Sequence, residues 1–301
     1  MSEFATADVR AAEAVGQGPE LQPKRFVVAR RVLRKPFAVA GLIILLTLVL
    51  ASVFAPYLTS YSPTRFAPRN ALQPPSVEHL MGTDQIGRDQ LTRILYGGRI
   101  SLQIGVVAVL IGAFAGILLG SIGGYFGGWT DEVVSRSIDV MLAFPNILFA
   151  LAVVSVLGPG MINLMIAIGV ASIPGFARLT RGLVLAAREF DYVSAARALG
   201  GSHVRVLAKH ILPNVAPALM VYATLSMATA ILSGAALSFL GLGTQPPTPE
   251  WGLMLSEARE FIRNAWWLAV FPGAMIMLAV ISINLIGDAM RDALDPWLKG
   301  R

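Results

Sequence analysis

Six stretches of the chain are almost unbroken apolar runs, at 37–56, 101–124, 138–157, 161–177, 214–237 and 267–287. A helix rises about 1.5 Å per residue, so runs near 20 residues are what a hydrocarbon core of roughly 30 Å demands. The pattern predicts an all-α, polytopic membrane protein with six transmembrane helices. The fourth run is short and contains Pro174, but Gly158, Pro159 and Gly160 place a turn ahead of it. The third and fourth runs are therefore expected to form a tight helical hairpin. On this reading residues 1–36 are a cytoplasmic N-terminal tail, 37–100 hold the first span and an extracytoplasmic segment, and 101–301 form the main transmembrane domain.

Six crossings put both termini on one side, and the basic residues say which. With the termini inside, the inner segments carry 17 Lys and Arg and the outer segments 7; basic residues beside spans are retained on the cytoplasmic side. The first run begins only after 36 residues, too far in for the short charged region of a cleavable signal, so it is expected to remain as an anchor. Composition agrees: 55% of residues are hydrophobic, 14% are charged, and mean hydropathy is +0.66. The net charge of +6 and pI near 10.0 are accounted for by this topology and by contact with lipid headgroups, without nucleic acid.

Several chemistries are excluded. No cysteine is present, which removes disulfides, thiolate metal sites and a cysteine nucleophile. Ionisable residues are nearly absent from the runs: Asp139 stands at the start of the third and Asp288 just past the last. An ion-coupled carrier needs a titrating or ion-binding group in its path. His79, His203 and His210 fall in predicted loops, so neither a metal-binding helix nor a Ser and His dyad has its parts. The four lysines, Lys24, Lys35, Lys209 and Lys299, follow Pro23, Arg34, Ala208 and Leu298, so none sits in a phosphate-binding loop. If transport is driven by ATP, another subunit must bind it.

Residues 178–213 interrupt the oily pattern with a basic, mostly polar insert. It predicts helices at 178–199 and 203–212, broken at Gly200 and Gly201, with Ser202 placed to cap the second and Pro213 closing the insert. Ala195 and Ala196 beside a glycine bend let a short helix lie flat in a partner's groove, backbone close to backbone.

Other segments carry expectations of their own. Thr83 or Asp84 starts a turn that Gly87 reverses, and Asp89 caps a helix lying along the membrane surface, with Leu91, Ile94 and Leu95 opposite Arg88 and Arg93. Gly112, Gly116, Gly120, Gly124 and Gly128 recur every four residues, a ridge that admits a close helix, expected from within the chain. Thr248 and Pro249 start a helix over 250–261, and Trp251, Trp266 and Trp267 suit interfacial anchoring. Arg291, Asp292 and Asp295 before Pro296 suggest a short polar cytoplasmic helix. Polar positions within the spans include Asn163, Ser226, Thr229, Ser233, Ser282 and Asn284; each either lines a wet passage or bonds a neighbouring helix.

Ala195, Ala196, Gly200, Leu212 and Pro213 resemble the EAA loop of ATP-binding cassette importer permeases. Ser194 stands where that pattern has Glu, which removes the carboxylate a salt bridge from that position would use, and His210 stands where it prefers Ile. The segment from His79 to Ser101, "GGYFGGW" at 123–129, "LSFLGLGTQPPTPEWG" at 237–252 and "GDAMRDALDP" at 287–296 are similar to the C-type permeases of dipeptide and oligopeptide importers, and the likeness extends over most of the chain from about Arg30. The resemblance implies a type I importer permease fold in a bacterial inner membrane, without catalysis in this chain. It implies ATPase coupling through Ser194, Ala195, Ala196, Arg197, Ala198, Leu199, Gly200, Leu212 and Pro213. The implied partners are a homologous permease, two ATPases carrying ATP and Mg, an extracytoplasmic peptide-binding protein and membrane lipid. Related importers of glutathione or nickel, and a self-sufficient secondary transporter, are the alternatives.

Overall fold

A computed structural model describes residues 30–294. Asp295, Pro296 and most of the N-terminal tail lie outside them. Among the described residues the structure is helical, with one isolated antiparallel bridge between Thr83 and Asp89.

Helix α1, Pro36–Val53, starts at a proline whose missing N–H would have had no helical partner. It lies along α9, Trp267–Leu294, and Gly41 is the point of closest approach: a Cβ there would stand 2.9 Å from the Ser282 carbonyl oxygen. Lys35 pairs with Asp292, and the Arg31 guanidinium reaches the Ala293 carbonyl at 3.5 Å. Both ends of the described chain therefore meet at one end of the bundle. Arg291 and Asp292 continue α9 without a break and form no separate helix.

Helix α2, Gln90–Phe126, runs for 37 residues. Asp89 caps it, accepting from the Thr92 N–H at 2.8 Å. The turn ahead forms as expected, with the Gly87 N–H bonded to the Asp84 carbonyl and φ +80° at Gly87. The separate surface helix does not exist: its residues are the first turns of α2. Arg88 and Arg93 are 2% and 1% exposed rather than solvated. Arg88 pairs with Asp84, and Arg93 reaches Glu257 at 2.7 Å. That carboxylate arrives from the short helix α8, Trp251–Ala258, so both guanidinium groups have counter-charges under a cap, while Arg93 Nε and Nη1 are buried without a hydrogen bond. The cap comprises the 54–89 segment and the loop around α8.

The third apolar run is not one helix. Helix α3, Gly128–Leu142, and α4, Asn146–Leu157, meet at 90°. Pro145 brings no N–H and pushes Phe144 out of helical conformation, which accounts for the break. The hairpin after it is as expected: Gly158 and Gly160 take positive φ, and Asn163 Nδ2 closes the turn on the Leu157 and Gly158 carbonyls at 2.9 and 3.1 Å. Helix α5, Met161–Ala187, passes through Pro174 and runs well beyond 177. The first ten residues assigned to the insert thus belong to a span. Arg178 and Arg181 sit there because α3 offers them carboxylates: Arg178 Nη2 reaches Asp139 at 2.8 Å, and Arg181 grips both oxygens of Asp131.

After α6, Asp191–Ala198, the chain enters α7, His203–Phe239, a continuous 37-residue helix. A π-helical stretch, Leu207–Ile211, precedes Pro213, which sits in the first turn of Leu212–Phe239 and ends nothing. His203 and His210 are therefore helical, as the second helix of the insert predicts, but that helix is continuous with a span and is not part of a loop. Trp251 and Trp267 are buried, with indole N–H groups donating to the Ile94 and Thr83 carbonyls at 3.0 and 3.1 Å; of the expected anchors only Trp266 is exposed.

The glycine ridge packs inside the chain. A Cβ on Gly112 would sit 2.7 Å from Ser172 Cβ, and one on Gly124 would sit 2.8 Å from the Arg181 carbonyl, both on α5. Gly128 meets nothing within 4 Å and is not part of the ridge. Replacing Gly112 with Val should cost about 1–3 kcal/mol by overpacking, lowering the unfolding temperature followed by tryptophan fluorescence. Gly182→Ala, a helical site with nothing within 4 Å of the added carbon, should leave that temperature unchanged or raise it.

Candidate functional site

Helix α6 sits on a compact apolar base. Val193 is fully buried against Tyr125, Val184, Val206, Ile211 and Val215, which join α2, α5, α6 and α7. The opposite side is bare: Ser194, Ala195, Arg197, Ala198, Leu199 and Gly200 are exposed and Ala196 is half-buried. Leu199 is 88% exposed and Val204, across the bend, 76%. The bend is a Schellman motif. Gly200 has φ +80°, its N–H bonds to the Arg197 carbonyl, and the Gly201 N–H bonds to the Ala196 carbonyl at 3.0 Å. Ser202 holds the N-cap position of the next helix without a side-chain cap. Leu212 and Pro213 follow on α7, half-buried and exposed.

The knob is tied to the span below it through one residue that the sequence did not single out. Arg197 lies 4.9 Å over the Tyr125 ring, and the Tyr125 hydroxyl is 3.1 Å from His203 Nδ1. Tyr125 belongs to the last turn of α2, so both arms of the bend are anchored to the glycine-packed spine.

A second feature lies between the α3–α4 bend, α5 and α7: a cleft of about 290 Å³. Ser226, Thr229 and Ser233 line it, with Asn146 and Tyr222, and none of the lining side chains is charged. Thr229 and Ser172 spend their hydroxyls on carbonyls of their own helices. Asn163, Ser282 and Asn284 lie outside the cleft. Asn163 closes the hairpin, Ser282 is buried and donates to the Leu278 carbonyl, and Asn284 is half-buried on α9.

At the cap, Glu250 begins α8 and is 1% exposed. Its carboxylate accepts from the Gly252 and Leu253 N–H groups at 2.8 Å and from Ser101 Oγ at 3.0 Å, fastening the cap to α2. Burial pushes this carboxyl above the usual range, against the pull of those hydrogen bonds.

Residues 116–300 match the binding-protein-dependent transport system inner membrane component family, and residues 27–75 match the N-terminal transmembrane domain of oligopeptide transport permease C. The chain is a binding-protein-dependent transport system inner membrane component. Among its relatives, the dipeptide transport system permease protein of Alkalihalophilus pseudofirmus is 50% identical over 88% of each chain. The di/tripeptide transport system permease protein of Pseudomonas aeruginosa is 46% identical, over 87% of this chain and 88% of that one. A glutathione transport system permease protein of Escherichia coli is 45% identical over 90% of each. A chain of the MetNI methionine ABC transporter in inward-facing conformations shares the fold, with a TM-score of 0.55 at 18% identity, over 67% of this chain and 97% of that one.

In this inner membrane component the anchoring of the knob by Tyr125 is directly testable. Tyr125→Ala should raise amide hydrogen exchange across 191–200 while α2 and α5 stay protected, read by mass spectrometry of the exchanged protein. Unchanged protection of 191–200 would show that the apolar base alone holds the knob.

Proposed function

We propose that this chain is one of two transmembrane subunits of an ATP-driven peptide importer, pairing with a homologous permease. Of two ATPases holding ATP and Mg, one docks on the knob at 194–200 and the other on the partner permease, and a peptide-binding protein delivers substrate at the opposite, extracytoplasmic cap. The observation that carries this reading is the knob itself. Two large apolar side chains, Leu199 and Val204, stand in open view at a basic polar bend whose other face is firmly packed. We read such an apolar pair, on a firmly packed base and among basic and polar residues, as a docking surface for a protein partner. The two peptide-transport relatives support a dipeptide or short oligopeptide as substrate, and the glutathione relatives keep that tripeptide-like thiol as the second reading.

The orientation follows from the basic residues: both termini and the knob are cytoplasmic, and the cap is outside. Closure of the ATPases then displaces the segment from Ala195 to Gly200, and the base at Tyr125 passes the displacement to α2, α5 and α7. This chain makes and breaks no covalent bond in that cycle.

Gly200 provides the test. A Cβ there meets nothing within 4 Å in this chain, so a bulky residue interferes chiefly with a docked partner. Positive φ adds strain of order 1 kcal/mol. Gly200→Trp is expected to leave the permease pair assembled while transport falls and basal ATPase activity no longer responds to the loaded binding protein. Because the chain has no cysteine, Leu199→Cys gives a single thiol for crosslinking. An adduct with the ATPase is expected, and fully coupled transport in Gly200→Trp without any such adduct would remove the assigned role.

A further inference from the structure

The cleft presents hydroxyls, one amide and apolar surface, and no charge. A short peptide with free ends is a zwitterion, so passage through such a space leaves both termini without counter-charges. The nearest charges of both signs stand together at one end of it. Pro174 and Gly175 line the cleft, and Arg178 is one helical turn farther toward the knob on α5; Met141 and Leu142 line it, and Asp139 is less than one turn away on α3. Arg178 Nη2 and Asp139 Oδ1 are 2.8 Å apart, joining two walls of the cleft at its knob end.

Two rungs of opposite charge link α3 to α5, and they differ in kind. Asp131 and Arg181 are held by two hydrogen bonds, and their side chains are 21% and 32% exposed. That is an anchoring pair. Arg178 and Asp139 share a single hydrogen bond, and their side chains are 61% and 58% exposed. An ion pair so exposed adds little to stability, and its single hydrogen bond uses one of the guanidinium's five donors and one carboxylate oxygen. A dipeptide measures at most about 7 Å end to end, so a guanidinium and a carboxylate held side by side offer each terminus its opposite charge within reach.

We infer that Arg178 and Asp139 form an exit station for zwitterionic peptides, Arg178 taking the C-terminal carboxylate and Asp139 the N-terminal ammonium as substrate leaves the cleft. The inference rests on the peptide-importer reading above and adds to it a requirement for two free termini. Arg–carboxylate pairing is the stronger half, since the guanidinium fork engages both oxygens.

The experiment uses the complete importer reconstituted into sealed lipid vesicles without its binding protein, with Ala-Ala as the probe and saturation-transfer NMR as the readout. The wild type should give a signal with Ala-Ala and none above background with N-acetyl-Ala-Ala-amide. The double variant Arg178→Gln with Asp139→Asn keeps a neutral hydrogen-bonding pair but no charge, and should weaken Ala-Ala binding about tenfold. Arg178→Lys, which keeps the charge, should retain part of it. The companion variant Asp131→Asn with Arg181→Gln should lower the unfolding temperature and leave the signal intact. Equal signals from free and blocked peptide, full binding by the neutral double variant, or no Ala-Ala signal from a preparation that imports Ala-Ala once its binding protein is added would each overturn the station. A preparation that imports no peptide even then would instead remove the reading on which the station rests.

Discussion

The close approach of α2 and α5 is the constraint from which the other features take their positions. Between helices in lipid there is no hydrophobic force to drive association, so contact depends on how near two backbones can come. Gly112, Gly116, Gly120 and Gly124 remove side chains along one edge of α2, and Ser172, Phe176, Ala177, Thr180 and Val184 of α5 fill the space. Every functional feature is built outward from that pair. Tyr125, one residue past the ridge, carries the knob. Asp89 and Arg93, at the far end of α2, carry the cap. Ile168, Ala171, Pro174 and Gly175 turn part of α5 toward the cleft.

The two ends of this spine treat charge in opposite ways. At the cap, Asp84, Arg88, Arg93 and Glu257 are a mostly buried four-member network, and Glu250 is buried beside backbone donors. Removing one member of such a set strands its partner, at a cost of about 3–5 kcal/mol, so the network specifies a single arrangement of the 54–89 segment over the spans. At the other end, Arg178 and Asp139 are largely exposed and cheap to rearrange, as is Glu189, whose partner Arg188 is held to the Gly124 carbonyl. On the reading proposed above, a densely paired cap and a loosely paired knob end suit a subunit that receives cargo on one side and mechanical work on the other.

Much of this was legible in the residues because it is local. The spans follow from apolar length, the hairpin from Gly158 to Gly160, the turn from Gly87, and the ridge from a four-residue period. The knob was legible because Ala195, Ala196 and Gly200 are both small and bend-forming. What the residues concealed depends on partners far away in sequence. Arg88 and Arg93 read as solvated until Glu257 is seen to reach them, and Trp251 and Trp267 read as interfacial until their N–H groups meet the carbonyls of Ile94 and Thr83. The continuity of α5 past 177 was hidden for the same reason, since Arg178 and Arg181 look like the start of a separate polar helix unless Asp139 and Asp131 are known to face them. The break at Pro145 is different: its signal was local, but an apolar run on both sides outweighed it.

The route from knob to cleft is asymmetric, and the asymmetry follows from packing and hydrogen bonding together, since α5 also lacks a donor, at Pro174, but is backed by α2. Both α5 and α7 connect the bend at 194–202 with the walls of the cleft. Helix α5 makes the journey backed by α2 along four glycine contacts. Helix α7 has the π-helical stretch Leu207–Ile211 after its first turn, and Pro213 and Pro217 bring no backbone donors, although Asn214 Nδ2 restores one bond to the His210 carbonyl at 2.7 Å. A displacement arriving at the bend therefore meets a braced helix on one side and a softened one on the other. On the reading proposed above, the wall bearing Tyr222, Ser226, Thr229 and Ser233 yields first, while the wall bearing Pro174 and Gly175 stays with the spine. Relative movement of two walls is what changes access to a space between them, and rigid displacement of both would leave the cleft as it was.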